Sequence, residues 1–322
     1  MPAIGVTRPA PVCRTSFILP SWLGLCFTIF LFMPVWGPSG RLRTGACWPP
    51  SAWLGPGAVE ANTGDRVTFF WRKGEILTYE LTQRTRASSR QGDVAVELSS
   101  QVVQQRQWEV VDCDELGGAR LRLTLAGLRF QQQLPNGRVL LYDAQKPQDS
   151  DPQLRRQLEP MLRQPLVTLT IDAAGKVGKV HEVRPSAMLI TEAIFPMHVV
   201  WPTPALSPGA SWQSDYTLTL RPPLGTGSHY AARRHFRWEM SSTPSALWRV
   251  SFRTELLQPA RDSTDQMALL QFQPEGEVFF DRQRRRVIEV RWRCGGVLEN
   301  HLGPGSRYEV QIEAEEKLLP AP

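Results

Sequence analysis

The chain has 322 residues, of which 42% are hydrophobic, and a formal net charge of +6 at pH 7. Removing the four arginines before position 44 from the 37 basic residues leaves 33 against 31 acidic residues. This near balance argues against a nucleic-acid-binding protein, which would have a marked basic excess. The remaining chain is long enough for one large domain or two packed halves with a substantial core, without a metal or cofactor.

The N-terminus has an export pattern. Arg8 and Arg14 precede an apolar run over residues 17–36, and no acidic residue occurs before Glu60. Such a pattern is typical of a signal peptide, and about 20 apolar residues also suffice to cross a bilayer. The sequence therefore predicts that residues 1–43 are a signal peptide or a membrane anchor, with cleavage slightly favoured. A retained segment would contact the membrane through residues 17–36. Either form predicts a cell-envelope location, periplasmic or extracellular, anchored or secreted.

A linker and then a β-rich domain are predicted to follow. Residues 44–66 are rich in Pro, Gly and Ala, which disfavour both helices and strand pairing. Residues 67–317 contain short segments in which apolar and polar residues alternate, as in strands with one buried face. The clearest of these segments are residues 76–81, 94–98 and 121–125.

Turn residues between these segments predict antiparallel hairpins. Gly117-Gly118 and Pro135-Asn136-Gly137 contain the glycine and asparagine that adopt positive φ in tight turns. Two short helices are predicted near residues 152–163, after Asp151, and near residues 187–195. The predicted fold class is mainly β. It consists of antiparallel, strongly curved sheets in a half-barrel or sandwich, with one or two short helices.

The second half of this domain resembles the first, which predicts two repeats over residues 67–183 and 205–317. Gly74-Glu75 followed by Tyr79 corresponds to Gly209-Ala210 followed by Trp212 and Tyr216. Trp108-Glu109 similarly corresponds to Trp238-Glu239.

Several of these motifs together resemble a family of exported bacterial β-rich proteins of unknown function. The motifs are Gly74-Glu75-x3-Tyr79, residues 134–143 (LPNGRVLLYD), Asp172-x2-Gly175-Lys176-Val177, Trp201-Pro202 and Pro208-Gly209-x-Ser211-Trp212. They are turn and strand signals, so they are specific for architecture and supply no catalytic residues. The resemblance implies an antiparallel sheet curved around a hydrophobic interior, similar in style to envelope lipoprotein carriers.

No catalytic, metal or cofactor site is predicted. His181-Glu182 begins like a metalloprotease motif, but a proline stands where the second histidine belongs. Ser211 lacks the second glycine of a nucleophile elbow. Residues 112–115 (DCDE) fit an acidic hairpin tip better than a calcium loop. Glu275 and Glu277 share one face of a single strand, as any acidic pair two residues apart would.

The sequence predicts a non-enzymatic envelope protein that binds an apolar ligand or a protein partner. A scaffold without ligand and a hydrolase of envelope polymers are the alternatives. Cys113 and Cys294 would form a disulfide or remain free in an oxidising compartment, with free thiols favoured. The residues predicted to line the ligand site are Leu77, Tyr79, Leu81, Leu121, Leu123, Leu125, Trp212 and Tyr216.

Overall fold

The protein forms one large antiparallel, curled open sheet of twelve strands, which confirms the predicted fold class. The computed structural model describes residues 67–184, 199–220, 225–239, 247–260 and 262–320. The predicted export segment, the linker and the helix near residues 187–195 lie outside these residues. No helix in the described ranges is long and apolar enough to cross a membrane.

The strands form a meander that begins and ends in the middle of the sheet. They are β1 (Ile76–Gln91), β2 (Val94–Cys113), β3 (Ala119–Gln133), β4 (Val139–Asp143), β5 (Pro165–Ile171), β6 (Val177–Val183), β7 (Ser211–Leu220), β8 (Ser228–Trp238), β9 (Leu247–Leu256), β10 (Glu275–Asp281), β11 (Arg286–Glu299) and β12 (Arg307–Leu318). Their order is β6-β5-β3-β2-β1-β12-β11-β10-β9-β8-β7, with β4 also paired to β3. The first strand therefore pairs with the last, and β6 and β7 end the sheet.

One face of the sheet is buried across most of its width. Directly opposed residues of an antiparallel ladder lie on the same face. Two such rows are Leu77, Trp108, Leu123 and Val167 in the first half, and Val290, Val278, Val250 and Trp238 in the second. All eight side chains are buried. We call this side the interior face, and the opposite side the outer face.

Two short α-helices cover parts of the interior face. Helix α1 (Pro152–Leu158) begins after Asp151, whose carboxylate accepts hydrogen bonds from the Gln153 and Leu154 N–H groups. The α-helix ends at Leu158, and a 3₁₀ turn follows at Glu159–Met161. The helix is therefore shorter than the predicted 152–163, because Pro160 cannot continue it. Helix α2 (Ser263–Leu269) was absent from the predicted elements. It packs by Ala268 and Leu269 against β7 and β8. Met267 of α2 and the following Leu270 pack against β11 and β12.

Two connecting segments, residues 67–71 and 199–206, lie in the central core between the two halves. The Phe69 N–H donates to the Ala173 carbonyl at 2.8 Å, and the Trp201 N–H donates to the Ala174 carbonyl at 2.7 Å. Both carbonyls belong to the β5–β6 turn of the first half. Phe70, the residue after Phe69, donates its N–H to the Arg285 carbonyl at 3.3 Å. Arg285 belongs to the β10–β11 turn of the second half. Residues 67–71 therefore connect the turns of both halves.

Each half begins with a glycine in the same arrangement. Gly74 and Gly209 precede β1 and β7 with φ of 80° and 87°, values that favour glycine. The Gly74 N–H donates to the Val110 carbonyl on β2 at 2.8 Å, and the Gly209 N–H donates to the Trp238 carbonyl on β8 at 3.0 Å. In this arrangement Trp238 occupies the place of Val110, two residues beyond its predicted counterpart Trp108. The two repeats stay a prediction.

Substitution of Gly175 tests how tightly the β5–β6 turn packs against the two connecting segments. Its φ is +90°, and a Cβ there would lie 2.5 Å from the Phe69 ring and 2.6 Å from the Val199 carbonyl oxygen. Gly137 has a similar φ of +79° with nothing within 4 Å of its Cβ position, so it isolates the backbone cost. We expect Gly175→Ala to lower the free energy of unfolding by about 2 kcal/mol more than Gly137→Ala. Urea denaturation followed by tryptophan fluorescence measures both; equal losses would contradict this tight packing.

Candidate functional site

The structure brings five of the eight predicted ligand-site residues into one cluster. Leu77, Tyr79, Leu121 and Leu123 belong to the central core, and Trp212 is half-buried against it. The remaining three lie apart from this cluster. Leu125 packs with Leu166, Tyr216 packs near α2, and Leu81 is buried opposite Glu316. The role of all eight residues in ligand binding stays a prediction.

The central core is filled largely by aromatic side chains from both halves and from the connecting segments. The Trp201 ring stacks on Trp212 at 5.6 Å between centroids, and Trp212 stacks on Phe236 at 5.3 Å. Phe280 approaches Trp201 edge-on at 4.9 Å, and the Trp212 Nε1–H donates to the Val200 carbonyl at 2.7 Å. Offset and edge-on contacts of this kind stabilise packed aromatic cores. A ligand at this level of the sheet would have to displace these rings.

Half-buried apolar side chains occur on the interior face on both sides of α2. Tyr216 and Leu256 pack beside the α2 cluster of β7 and β8. Trp292 and Leu298 pack beside the cluster on β11 and β12. These residues are half-buried, so they are apolar groups on this face that retain contact with solvent, as do Leu140 and Met161 beside α1.

A buried ion pair joins β2 to β12 across β1. Arg106 Nη1 lies 3.3 Å from Glu316 Oε1, and the Arg106 Nε–H donates to Gln104 at 2.8 Å. The two charged side chains are 10% and 6% exposed. Burial lowers the pKa of the Arg106 guanidinium, and Glu316 opposes that shift. The hydrogen bonds and the opposite charge offset part of the desolvation cost of the two ions.

A second charged side chain, Arg234 of β8, is 3% exposed on the same face. Its guanidinium lies 5.0 Å from the Phe252 ring centroid and 5.8 Å from that of Tyr216. Burial is the main cause that lowers its pKa, and Tyr216 opposes the shift. The rings therefore accommodate the cation through cation–π contacts on an otherwise apolar surface.

Asp265 is a further buried group that the sequence analysis did not select. It is fully buried in the first turn of α2 and accepts hydrogen bonds from the Tyr230 hydroxyl at 2.6 Å, the Thr226 N–H at 2.9 Å and the Thr226 hydroxyl at 3.0 Å. Burial acts to raise its pKa, but these hydrogen bonds outweigh burial and hold the pKa below its ordinary value. Asp265 thereby anchors α2 to β8.

The histidines of β6 and β8 have local partners or lie exposed. His235 Nε2 lies 2.8 Å from Glu255 Oε2 and forms no hydrogen bond with a hydroxyl group of the described residues. His229 Nδ1 shares a hydrogen bond of 2.9 Å with Thr219. His181 is exposed on β6. The histidine, carboxylate and hydroxyl combination that would favour the hydrolase alternative is therefore not assembled at His235.

The acidic residues of the 112–115 hairpin tip and of β10 stabilise a turn and the strand ladder. Asp114 accepts the Leu116 and Gly118 N–H groups, as expected of a hairpin tip. Glu275 forms an ion pair with Arg293 across the β10–β11 ladder, and Glu277 forms one with Arg249. Within the described ranges, no three metal-ligating side chains form a group.

Both cysteines of the described domain are free thiols. Cys113 is exposed at the end of β2, whereas Cys294 is buried in β11. The Cys294 thiol donates to the Gln271 carbonyl at 3.3 Å, and burial raises its pKa to about 12. A thiol in this state is a packing group rather than a nucleophile.

No family model and no curated protein matches the chain. Among solved structures, it is similar to lipovitellin, in a structure concerned with lipid–protein interactions, with a TM-score of 0.42 and 10% identity. That match covers 78% of this chain but only 26% of lipovitellin, so the chain spans about a quarter of that protein. It is also similar to DynF from the dynemicin biosynthesis pathway of Micromonospora chersina, with a TM-score of 0.22 and 6% identity over 81% of this chain and 88% of DynF.

A third similar structure is a DUF1329 family protein from Desulfovibrio piger, with a TM-score of 0.14 and 9% identity. The match covers 72% of this chain and 83% of that protein. The family resemblance described above stays a prediction, because no family model matches the chain. TM-scores in this range carry no argument about function.

The buried ion pair predicts a large difference between single and paired substitutions. Arg106→Met leaves the Glu316 carboxylate buried without its cation, so we expect a loss of about 3–5 kcal/mol in unfolding free energy. Arg106→Met combined with Glu316→Leu should recover most of that loss. Asp215→Asn, which breaks the exposed pair with Arg233, is the control and should cost about 1 kcal/mol or less. If urea denaturation shows that the double variant loses as much unfolding free energy as the two single variants together, the two charges are not coupled.

Proposed function

We propose that this is a non-enzymatic cell-envelope protein that binds an apolar ligand on the interior face of its curled sheet. The observation that carries the proposal is the set of half-buried apolar side chains on both sides of α2, including Tyr216, Leu256, Trp292 and Leu298. The support comes from apolar surface at the border of a packed core, where ligand-binding sites are mostly apolar.

Export to the envelope is part of the same proposal. It is supported by the basic residues Arg8 and Arg14 and by the charge-free apolar run that follows them. An envelope location would expose the protein to lipids, which are the apolar ligands available there. The ligand's chemical class is therefore proposed to be a lipid chain.

A structural scaffold is the second candidate function. The filled central core favours it, because the rings of Trp201, Trp212 and Phe280 already occupy the space between the two halves. In this alternative the curled sheet covers its own interior face, and the half-buried residues near α2 are simply the border of that core.

Binding is tested by titrating residues 44–322 with an anthroyloxy-labelled stearic acid below its micelle concentration. We expect saturable fluorescence enhancement for the wild-type sequence. Leu298→Arg places a charge on the interior face and should weaken binding by tenfold or more, since one buried apolar side chain contributes about 1.5–3 kcal/mol. Val297→Arg, one residue earlier in β11, faces the outer side and is the matched control. Absence of saturable binding would favour the scaffold.

Export is tested separately with residues 1–60 fused to alkaline phosphatase, which is active only outside the reducing cytoplasm. We expect activity from this fusion, and loss of activity when Leu25 and Phe27 are replaced by arginine, because charges interrupt the apolar run. A matched fusion with Arg substitutions at Ala52 and Leu54 should remain active. An inactive wild-type fusion that accumulates in the cytoplasm would refute export.

A further inference from the structure

A groove of 840 Å³ lies on the outer face of the sheet, beside the β3–β4 turn. Small residues of β1 and β2, including Ser88, Ala95 and Ser99, form its floor. Longer polar side chains surround this floor: Arg86, Glu97, Gln133, Glu309 and Gln311. The volume is within the range of about 300–1,000 Å³ that is usual for small-ligand sites.

The ladder register fixes how these polar groups are spaced. Arg86 is directly opposite Ser99 on one side and Gln311 on the other. In the next row of this face, Ser88 is opposite Glu97 and Glu309. Glu97 and Glu309 are therefore separated by two strand spacings, about 10 Å, with a serine between them. The groove thus presents polar groups at both sides of a small-residue floor.

One polar group is oriented by neighbours, and several others are available to a ligand. Glu309 accepts hydrogen bonds from Arg307 at 3.1 Å and from Gln311 at 3.0 Å. By contrast, the side chains of Arg86, Glu97 and Gln133 are exposed and make no ion pair or side-chain hydrogen bond with another described residue. Their donors and acceptors face solvent in the groove.

The chemistry of the lining excludes several ligand classes. The two carboxylates beside a single arginine do not favour a polyanion, and the positive charge of Arg86, on the middle strand, does not favour a cation. Large apolar side chains are few at the groove, chiefly Leu134 and Pro135 at the β3–β4 turn, and they do not suffice to bury a lipid tail. Because β1, β2 and β12 are each paired on both sides, an extended peptide has no strand edge to join.

We infer that this groove binds a neutral, hydroxyl-rich chain, namely an oligosaccharide. Sugar hydroxyls both donate and accept hydrogen bonds, and the groove offers carboxylates that accept, a guanidinium that donates and amides that do both. The site is on the other side of the sheet from the proposed apolar ligand site and does not depend on it. It would attach the protein to a glycan while the interior face remains free.

The test is a glycan array carrying neutral and anionic oligosaccharides, probed with the full-length chain in a detergent that has no sugar head group. We expect retention on one or more neutral oligosaccharides. Ser99→Trp fills the floor with a residue that strands tolerate and should reduce the affinity at least tenfold. Thr217→Trp, at an exposed outer-face position of β7, is the matched control and should bind like the wild type.

A second variant covers the case in which Ser99→Trp does not fold. Glu97→Ala combined with Gln133→Ala removes two exposed polar side chains without adding bulk, and it should also weaken binding at least tenfold. Circular dichroism confirms that each variant retains its β content. Retention of anionic glycans alone, no retention at all, or unchanged binding by the folded groove variants would overturn the proposal.

Discussion

The fold depends on two connecting segments that fill the space between the halves of the sheet. A sheet with one apolar face needs a second layer to cover it, and α1 and α2 are too short to cover twelve strands. Residues 67–71 and 199–206 supply the missing layer in the centre, with Phe69, Trp71 and Trp201 buried between the halves. Backbone hydrogen bonds to the β5–β6 and β10–β11 turns hold residues 67–71 in this place. The sheet can therefore curl and bury its own apolar face.

Beyond this centre, polar groups and helices divide the interior face into separate regions. The Arg106–Glu316 pair borders the central core, and Arg234 lies between that core and the apolar cluster beside α2. Asp265 holds α2 in position through Tyr230 and Thr226. The interior face is thus a closed aromatic core in the centre and a partly open apolar surface around α2. This division assigns stability to one region and proposed binding to the other.

The sequence was sufficient to predict the β class, the antiparallel hairpins and the location of α1. Alternation along residues 76–81 identified the start of β1 because Leu77, Tyr79 and Leu81 are all buried on the interior face. The same pattern underestimated the length of β1, which continues to Gln91. In that extension the interior-face residues are polar or small, and pairing with β2 and β12 maintains the strand without apolar alternation.

The site was less predictable because it depends on contacts between residues far apart in the chain. Arg106 and Glu316 are separated by 210 positions, and each alone reads as a solvated charge. Helix α2 had a local signal, since Asp262 accepts the Asp265 N–H as an N-cap. The burial of Asp265, however, arises only when Tyr230 of β8 lies beside it. Alternation identified apolar residues, but it did not distinguish a filled core from a surface that a ligand reaches.

Both proposed binding surfaces follow from the two faces of one sheet. The interior face offers half-buried apolar groups around α2, and the outer face offers a polar groove above β1, β2 and β12. Native mass spectrometry of the chain purified from its own cells is the sharpest test of lipid binding, because it detects a retained ligand without a chosen probe. We expect a mass above that of the polypeptide, with the excess released as a lipid on collisional activation. The bare polypeptide mass, from a folded protein in a gentle preparation, would contradict lipid binding.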